Sequence, residues 1–137
     1  MSNAASNYLE NKLLDHTLRN TAFTQPSGLH VALFHGTAAG VLANLEAGTL
    51  TDEVDQGGYT RKTVTFSAAS NGATSNSSTV TFPVATGNYN ATVTCVAVMD
   101  AATSGNVLFY GELTTAKTVT TGDTFQIAGG NLQISLT

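Results

Sequence analysis

Thr92-Val93-Thr94-Cys95-Val96-Ala97-Val98-Met99 is the stretch on which the fold turns. In an extended chain successive side chains alternate faces, so Val93, Cys95, Ala97 and Met99 share one side. Thr94, Val96 and Val98 share the other. Both sets are largely apolar, which predicts a strand at the centre of a sheet with core on each side. Cys95 is the chain's one cysteine. Alone it can form neither an internal disulfide nor a thiolate metal cage, so in this run it reads as a small buried hydrophobe.

Downstream of this strand, Asp100 to Asn106 (DAATSGN) supplies turn residues before a second apolar run, Val107 to Leu113. Further strands are expected at Lys117–Thr120, Thr124–Ala128 and Leu132–Leu136, separated by TGD and GGN turns. Upstream, Leu29–Phe34 is apolar on both faces, and Tyr59–Phe66 and Thr79–Phe82 also read as strands. The polar stretch SAASNGATSNSS between those two reads as too polar to bury. The triplets at Val64–Phe66 and Val80–Phe82 are alike, but no period continues beyond them.

The first part of the chain has a different rhythm. Leu9, Leu13, Leu14 and Leu18 recur at helical spacing, with Asn7 as the expected N-cap and Glu10 three residues later. A helix is therefore expected within residues 1–23, stopped by Pro26 and Gly28. Residues 36–58 are rich in glycine and carry the acids Asp52, Glu53 and Asp55, and they read as a surface loop or arm. The expected architecture is mainly β: one β-sandwich or jelly-roll-like domain over residues 1–137, with one N-terminal α-helix and main strands over 59–136.

Composition narrows the function. Charged residues are 10% of the chain against roughly 25% in typical soluble domains. Serine and threonine make up roughly a quarter of the chain, favouring strands and turns. The net charge is -4, and Arg61-Lys62, the one adjacent basic pair, splits across two faces of a strand. A basic patch able to neutralise phosphates is missing from this pattern, so nucleic-acid binding is not expected. No apolar run approaches the ~20 residues that span a bilayer, so no membrane partner is expected.

Chemistry is equally sparse. His30 and His35 are separated by an odd number of residues and point to opposite faces of one strand, a poor basis for shared metal ligation. The TDEVD run lacks the alternating pattern of an EF-hand loop and reads as a solvated acidic turn. Neither a serine elbow, a paired-carboxylate pattern nor a phosphate-cradling glycine loop is present. The expectation is a non-enzymatic protein with no cofactor and no metal.

Several blocks in order resemble a widespread family of small tailed-phage virion proteins labelled phage tail fibre proteins. They are SNYLENKLLDH at Ser6–His16, HVALF at His30–Phe34, DEVDQGGYTR at Asp52–Arg61 and NGATSNSSTVTFPVATG at Asn71–Gly87. The resemblance continues through Ala91–Val119 and Gly122–Leu136, covering nearly the whole chain. It departs near Tyr89-Asn90, where a tryptophan is expected, and at Cys95 and Met99.

The resemblance implies a structural component of a virion, made in the host cytoplasm. Within that class the compact, weakly charged chain, with no repetitive shaft, points to a capsid cement or decoration protein that binds the major capsid protein as a homo-oligomer. The alternative is a tail fibre or baseplate-associated receptor-binding module, with tail proteins or a host surface glycan as partner and Tyr59, Tyr89 and Tyr110 as sugar platforms. The candidate docking interface is the helical stripe Tyr8, Leu9, Leu13, Leu14 and Leu18. Its plainer role would be to pack across the protein's own sheet.

Overall fold

A computed structural model of the chain describes residues 4–136. Its elements, in chain order, are β1 (Ala4–Ala5), α1 (Asn7–Leu18), β2 (His30–His35), α2 (Ala38–Glu46), β3 (Lys62–Thr63), β4 (Ala73–Ser75), β5 (Val80–Thr81), β6 (Val93–Met99), β7 (Val107–Lys117), β8 (Gln126–Ile127) and β9 (Gln133–Ser135). The mainly β architecture with an N-terminal helix is therefore present.

Five strands form one antiparallel sheet in the order β1-β7-β6-β2-β3. The TVTCVAVM stretch lies at its centre, and Cys95 to Met99 are all buried. Two short ladders, β4 with β9 and β5 with β8, make up the remaining β-structure. They face the sheet in sandwich fashion across a shared cluster that includes Val31, Leu33, Val96, Val98, Phe82, Phe125, Leu132 and Ile134. Both VTF triplets feed this cluster, through Val64 and Phe66 and through Val80 and Phe82.

The sheet's other face buries a second cluster, Ala32, Phe34, Cys95, Ala97 and Met99, against Val41 and Leu45 of α2. The alternation read from sequence thus holds along β2 and most of β6. It breaks at Val93, which joins the first cluster while Cys95 joins the second. A register shift between Val93 and Cys95 causes this, since an irregularity in the ladder moves a side chain to the opposite face.

Helix α2 corrects the reading of residues 36–58 as a loop or arm. Between Gly36 and Gly48 the chain is rich in alanine and leucine, good helix formers, and Val41 and Leu45 repeat at the four-residue interval that lines one helical face. Gly48 ends the helix in the left-handed region at φ 82°, where only glycine escapes a side-chain penalty. The helix survives because the sheet offers its apolar edge somewhere to go.

Other boundaries moved for identifiable reasons. Helix α1 stops at Leu18, well before Phe23, because Asn20 takes the left-handed conformation at φ 54°. Arg19 and Thr21 then both donate backbone N–H bonds to Asp15 O, closing the helix end. The N-cap is Ser6 rather than Asn7. Most of the expected strand at Tyr59–Phe66 is irregular, with ladder pairing at Lys62–Thr63. The strand expected at Lys117–Thr120 does not form, because β7 runs on to Lys117.

The stretch SAASNGATSNSS also holds more structure than its polarity suggests. It contributes β4, and its Asn76 is 2% exposed. The Asn76 amide donates to Ser78 O (2.8 Å) and Ala128 O (3.1 Å) and accepts from Leu132 N–H (2.9 Å). An amide with both its donor and acceptor sides satisfied can be buried, and here it bolts the loop to the chain before β9.

Candidate docking face and its supporting network

Helix α1 is fastened to the sheet through its first turn. Ser6 is fully buried, and its Oγ accepts from Leu9 N–H (3.2 Å) while donating to the carbonyl of Val107. Its backbone N–H adds a bond to Leu108 O (2.9 Å). Immediately before it, β1 pairs with Phe109 and Tyr110 of β7. A serine cap satisfies an orphan N–H at the helix start, and here the same hydroxyl also ties that start to β7, the strand between β1 and β6.

The five predicted interface residues do not form one stripe. Leu9 is buried, Tyr8 and Leu13 are half-buried, and Leu14 and Leu18 are 55% and 76% exposed. Helix geometry explains the split, since each residue turns about 100° and Leu9 with Leu13 lies more than a quarter-turn from Leu14 with Leu18. One apolar face thus reaches the protein's own body and a second faces away. Tyr8 is covered partly by its neighbour, with Lys12 Nζ 5.7 Å from the ring centroid.

The acidic segment proves to be a clamp and not a solvated turn. Arg61 forks onto Glu53, Nε to Oε2 at 2.7 Å and Nη2 to Oε1 at 2.8 Å. Its Nη1 donates to Ala101 O (2.9 Å) and Ser104 O (2.8 Å), so one guanidinium joins two loops. The Arg61 side chain is 3% exposed, and bonding to Glu53 raises its already high pKa. Tyr59 completes the set, donating its hydroxyl to Glu53 (2.8 Å) and accepting from Leu33 N–H of β2 (3.0 Å). Burial, with the Glu53 carboxylate beside it, drives the Tyr59 phenol far above its ordinary range and keeps it protonated.

The neighbouring acids are also engaged. Asp52 accepts from the Asn44 amide of α2 (2.8 Å), and its backbone carbonyl accepts from His35 N–H (2.9 Å). Asp55 exchanges bonds with the Asn90 side chain. Gly57 lets two loops touch: a Cβ there would sit 2.3 Å from Gly87 O. Asn88 accepts from Thr121 N–H (3.1 Å), adding the loop between β7 and β8 to the same end of the molecule. Segment 52–61 is therefore tied to the 101–104 turn before β7 and to the loop at 87–90, which is bonded in turn to the loop after β7, and the sequence signal for these ties was the Gly57-Gly58-Tyr59 run followed by Arg61.

The tyrosines that the sequence offers as sugar platforms are turned inward. Tyr89 is 6% and Tyr110 9% exposed, and Tyr59 stacks on Phe82 at 6.0 Å between ring centroids. Among the described residues no three His, Cys, Asp or Glu side chains converge to hold a metal ion. Nor is any described helix long and apolar enough to cross a membrane.

No curated protein matches the chain. Across residues 4–135, from β1 to β9, the sequence matches the family described as Podophage GP4 fiber I protein gp80, and the chain belongs to that family of phage fibre-type virion proteins.

Proposed function

We propose that this chain is a structural subunit of a phage fibre, held in the particle by docking through α1 and doing no chemistry of its own. The observation that carries this reading is the split helix, anchored at Ser6 and Leu9 and presenting Leu14 and Leu18 to a neighbour. Leu14 and Leu18 lie one turn apart, so on this reading they act as one contiguous apolar spot for a contact. The cross-linked loops suit a part that bears load without changing shape, because ordered segments lose little entropy on assembly.

This reading favours the fibre over capsid decoration, because the family description names a fibre. Neighbouring fibre or tail proteins are then the partners in place of the major capsid protein. Direct receptor binding through a tyrosine platform is disfavoured, since those rings are covered.

Quantitative mass spectrometry of purified virions, scaled to the major shell protein, tests the assignment. A fibre subunit is expected at few copies per particle. Abundance on the scale of the shell protein would return the chain to the capsid surface. Deleting residues 2–20 should abolish incorporation, and unchanged occupancy by the truncated protein would remove α1 from the contact.

A further inference from the structure

We propose that Asn71 is a site of spontaneous covalent modification, where the chain converts its own asparagine to aspartate and isoaspartate. The amide carbon of an asparagine is open to attack by the backbone nitrogen of the next residue, and a side chain on that residue hinders the approach. Asn71 is the one asparagine of this chain that is followed by glycine, which has no Cβ to hinder it. Both residues are exposed. Among the described residues the Asn71 side chain makes no hydrogen bond, and neither does the Gly72 N–H that must give up its proton.

The chemistry needs only water. The Gly72 nitrogen bonds to Asn71 Cγ as its proton leaves, and the Cγ–Nδ2 bond breaks to release ammonia. The five-membered succinimide so formed then takes up one water. Water that enters at Cγ leaves aspartate. Water that enters at the backbone carbonyl carbon leaves isoaspartate, whose chain runs on to Gly72 through Cβ and Cγ. Either product carries a new carboxylate, which makes an already acidic chain more so.

The turn sets the pace. Asn71 and Gly72 lie at φ 53° and 74°, and Ser70 and Ala73 exchange backbone bonds of 2.9 and 3.0 Å across them. This is the two-residue type I′ hairpin that Asn-Gly favours. Its backbone turns the Gly72 nitrogen away from Asn71 Cβ, so ring closure waits on opening of the turn. Asn76, followed by the small Ser77, is held differently. Its buried amide is bonded to Ser78 O, Ala128 O and Leu132 N–H, which leaves its side chain no freedom to swing onto the next nitrogen. The two products at Asn71 differ in consequence. Aspartate fits the same turn. Isoaspartate adds a backbone carbon to a two-residue loop, where Leu136 N–H bonds Gly72 O (2.8 Å) and β4 starts its ladder with β9 at Ala73 and Ser135. Isoaspartate therefore loosens that corner of the molecule.

Peptide mapping by mass spectrometry tests this, on the full chain aged folded at neutral and alkaline pH and, in parallel, in urea. In the folded protein Asn71 should convert ahead of every other asparagine, faster at the higher pH, and give both products. In urea its rate should rise by roughly tenfold or more, because the closed turn must first lose the two bonds between Ser70 and Ala73. Asn71→Asp should keep the wild-type amide-exchange protection at Leu136, whereas the isoaspartate fraction of an aged sample should lose it. A folded sample in which Asn71 stays intact, or in which another asparagine converts first, overturns the site. Equal rates in folded and urea-treated chain overturn the part given to the turn, and Leu136 protection unchanged in the isoaspartate fraction overturns the loosening.

Discussion

Replacing Glu53 with glutamine keeps the side chain's length and shape but removes the charge that neutralises a buried arginine. The carboxylate accepts three bonds, two from Arg61 at 2.7 and 2.8 Å and one from Tyr59 at 2.8 Å. Glutamine offers one acceptor oxygen, and its NH2 faces a guanidinium N–H in either orientation, with the Tyr59 hydroxyl beside it in one of them. At least one arm of the fork is lost, and the Arg61 side chain, 3% exposed, has little water to turn to. Removing one partner of a buried pair costs about 3–5 kcal/mol, because the remaining charge is left uncompensated. Glu53 itself is 19% exposed, which admits some solvent on one side and places the expectation at the lower end, about 3 kcal/mol. For a chain of this length each kcal/mol moves the melting temperature by roughly 3–4 °C, so a drop of about 10 °C is expected. Urea unfolding should show the same loss as a lower midpoint with an unchanged slope. Replacing Arg61 as well, with methionine, should cost less than the two single changes summed, since no charge is then stranded. A melting temperature within about 3 °C of wild type for Glu53→Gln would refute the argument that this pair is buried and load the stability elsewhere.

Three further perturbations follow from the same geometry. Folding holds the Tyr59 proton that an unfolded chain releases near pH ~10, so above that pH the folded state binds more protons and stability falls as pH rises. The slope should reach up to about 1.4 kcal/mol per pH unit for this phenol, with all of its stabilisation present below the unfolded value. Urea midpoints at several alkaline pH values should show a shallower decline in Tyr59→Phe, and an identical decline would remove Tyr59 as the cause. Gly57→Ala combines a φ of 70° with a Cβ placed 2.3 Å from Gly87 O, whereas Gly122→Ala meets open space at φ 90°. The first should destabilise by several times the ~1 kcal/mol expected of the second, as measured by thermal melts. Ser6→Ala removes a cap and the bond to Val107, and should cost about 1–2 kcal/mol. Amide exchange should localise that loss to α1, and protection unchanged across residues 7–18 would show that the helix start is held by β1 alone.

Much of this protein is legible in its residues taken in order. Alternation along TVTCVAVM identified the central strand, because a strand buried on both faces needs apolar side chains at both parities. The leucines of α1 announced a helix, and the scarcity of charge and catalytic patterns pointed away from enzymes toward assembly. What could not be read depended on partners distant in sequence. Residues 36–58 looked like a loop because glycines and acids dominate a local reading, yet α2 forms where the sheet offers Val41 and Leu45 a face to cover. Glu53 and Asp55 looked solvated until Arg61, Tyr59 and Asn90 were brought beside them. Asn76 looked exposed until Leu132 and Ala128 supplied its hydrogen bonds. Local sequence determined which segments extend or coil, since side-chain alternation and backbone propensity act over a few residues. Tertiary structure decided which polar groups are buried and which leucines are left outside, since a polar side chain is buried where the fold meets its bonds and an apolar one stays exposed where nothing packs over it.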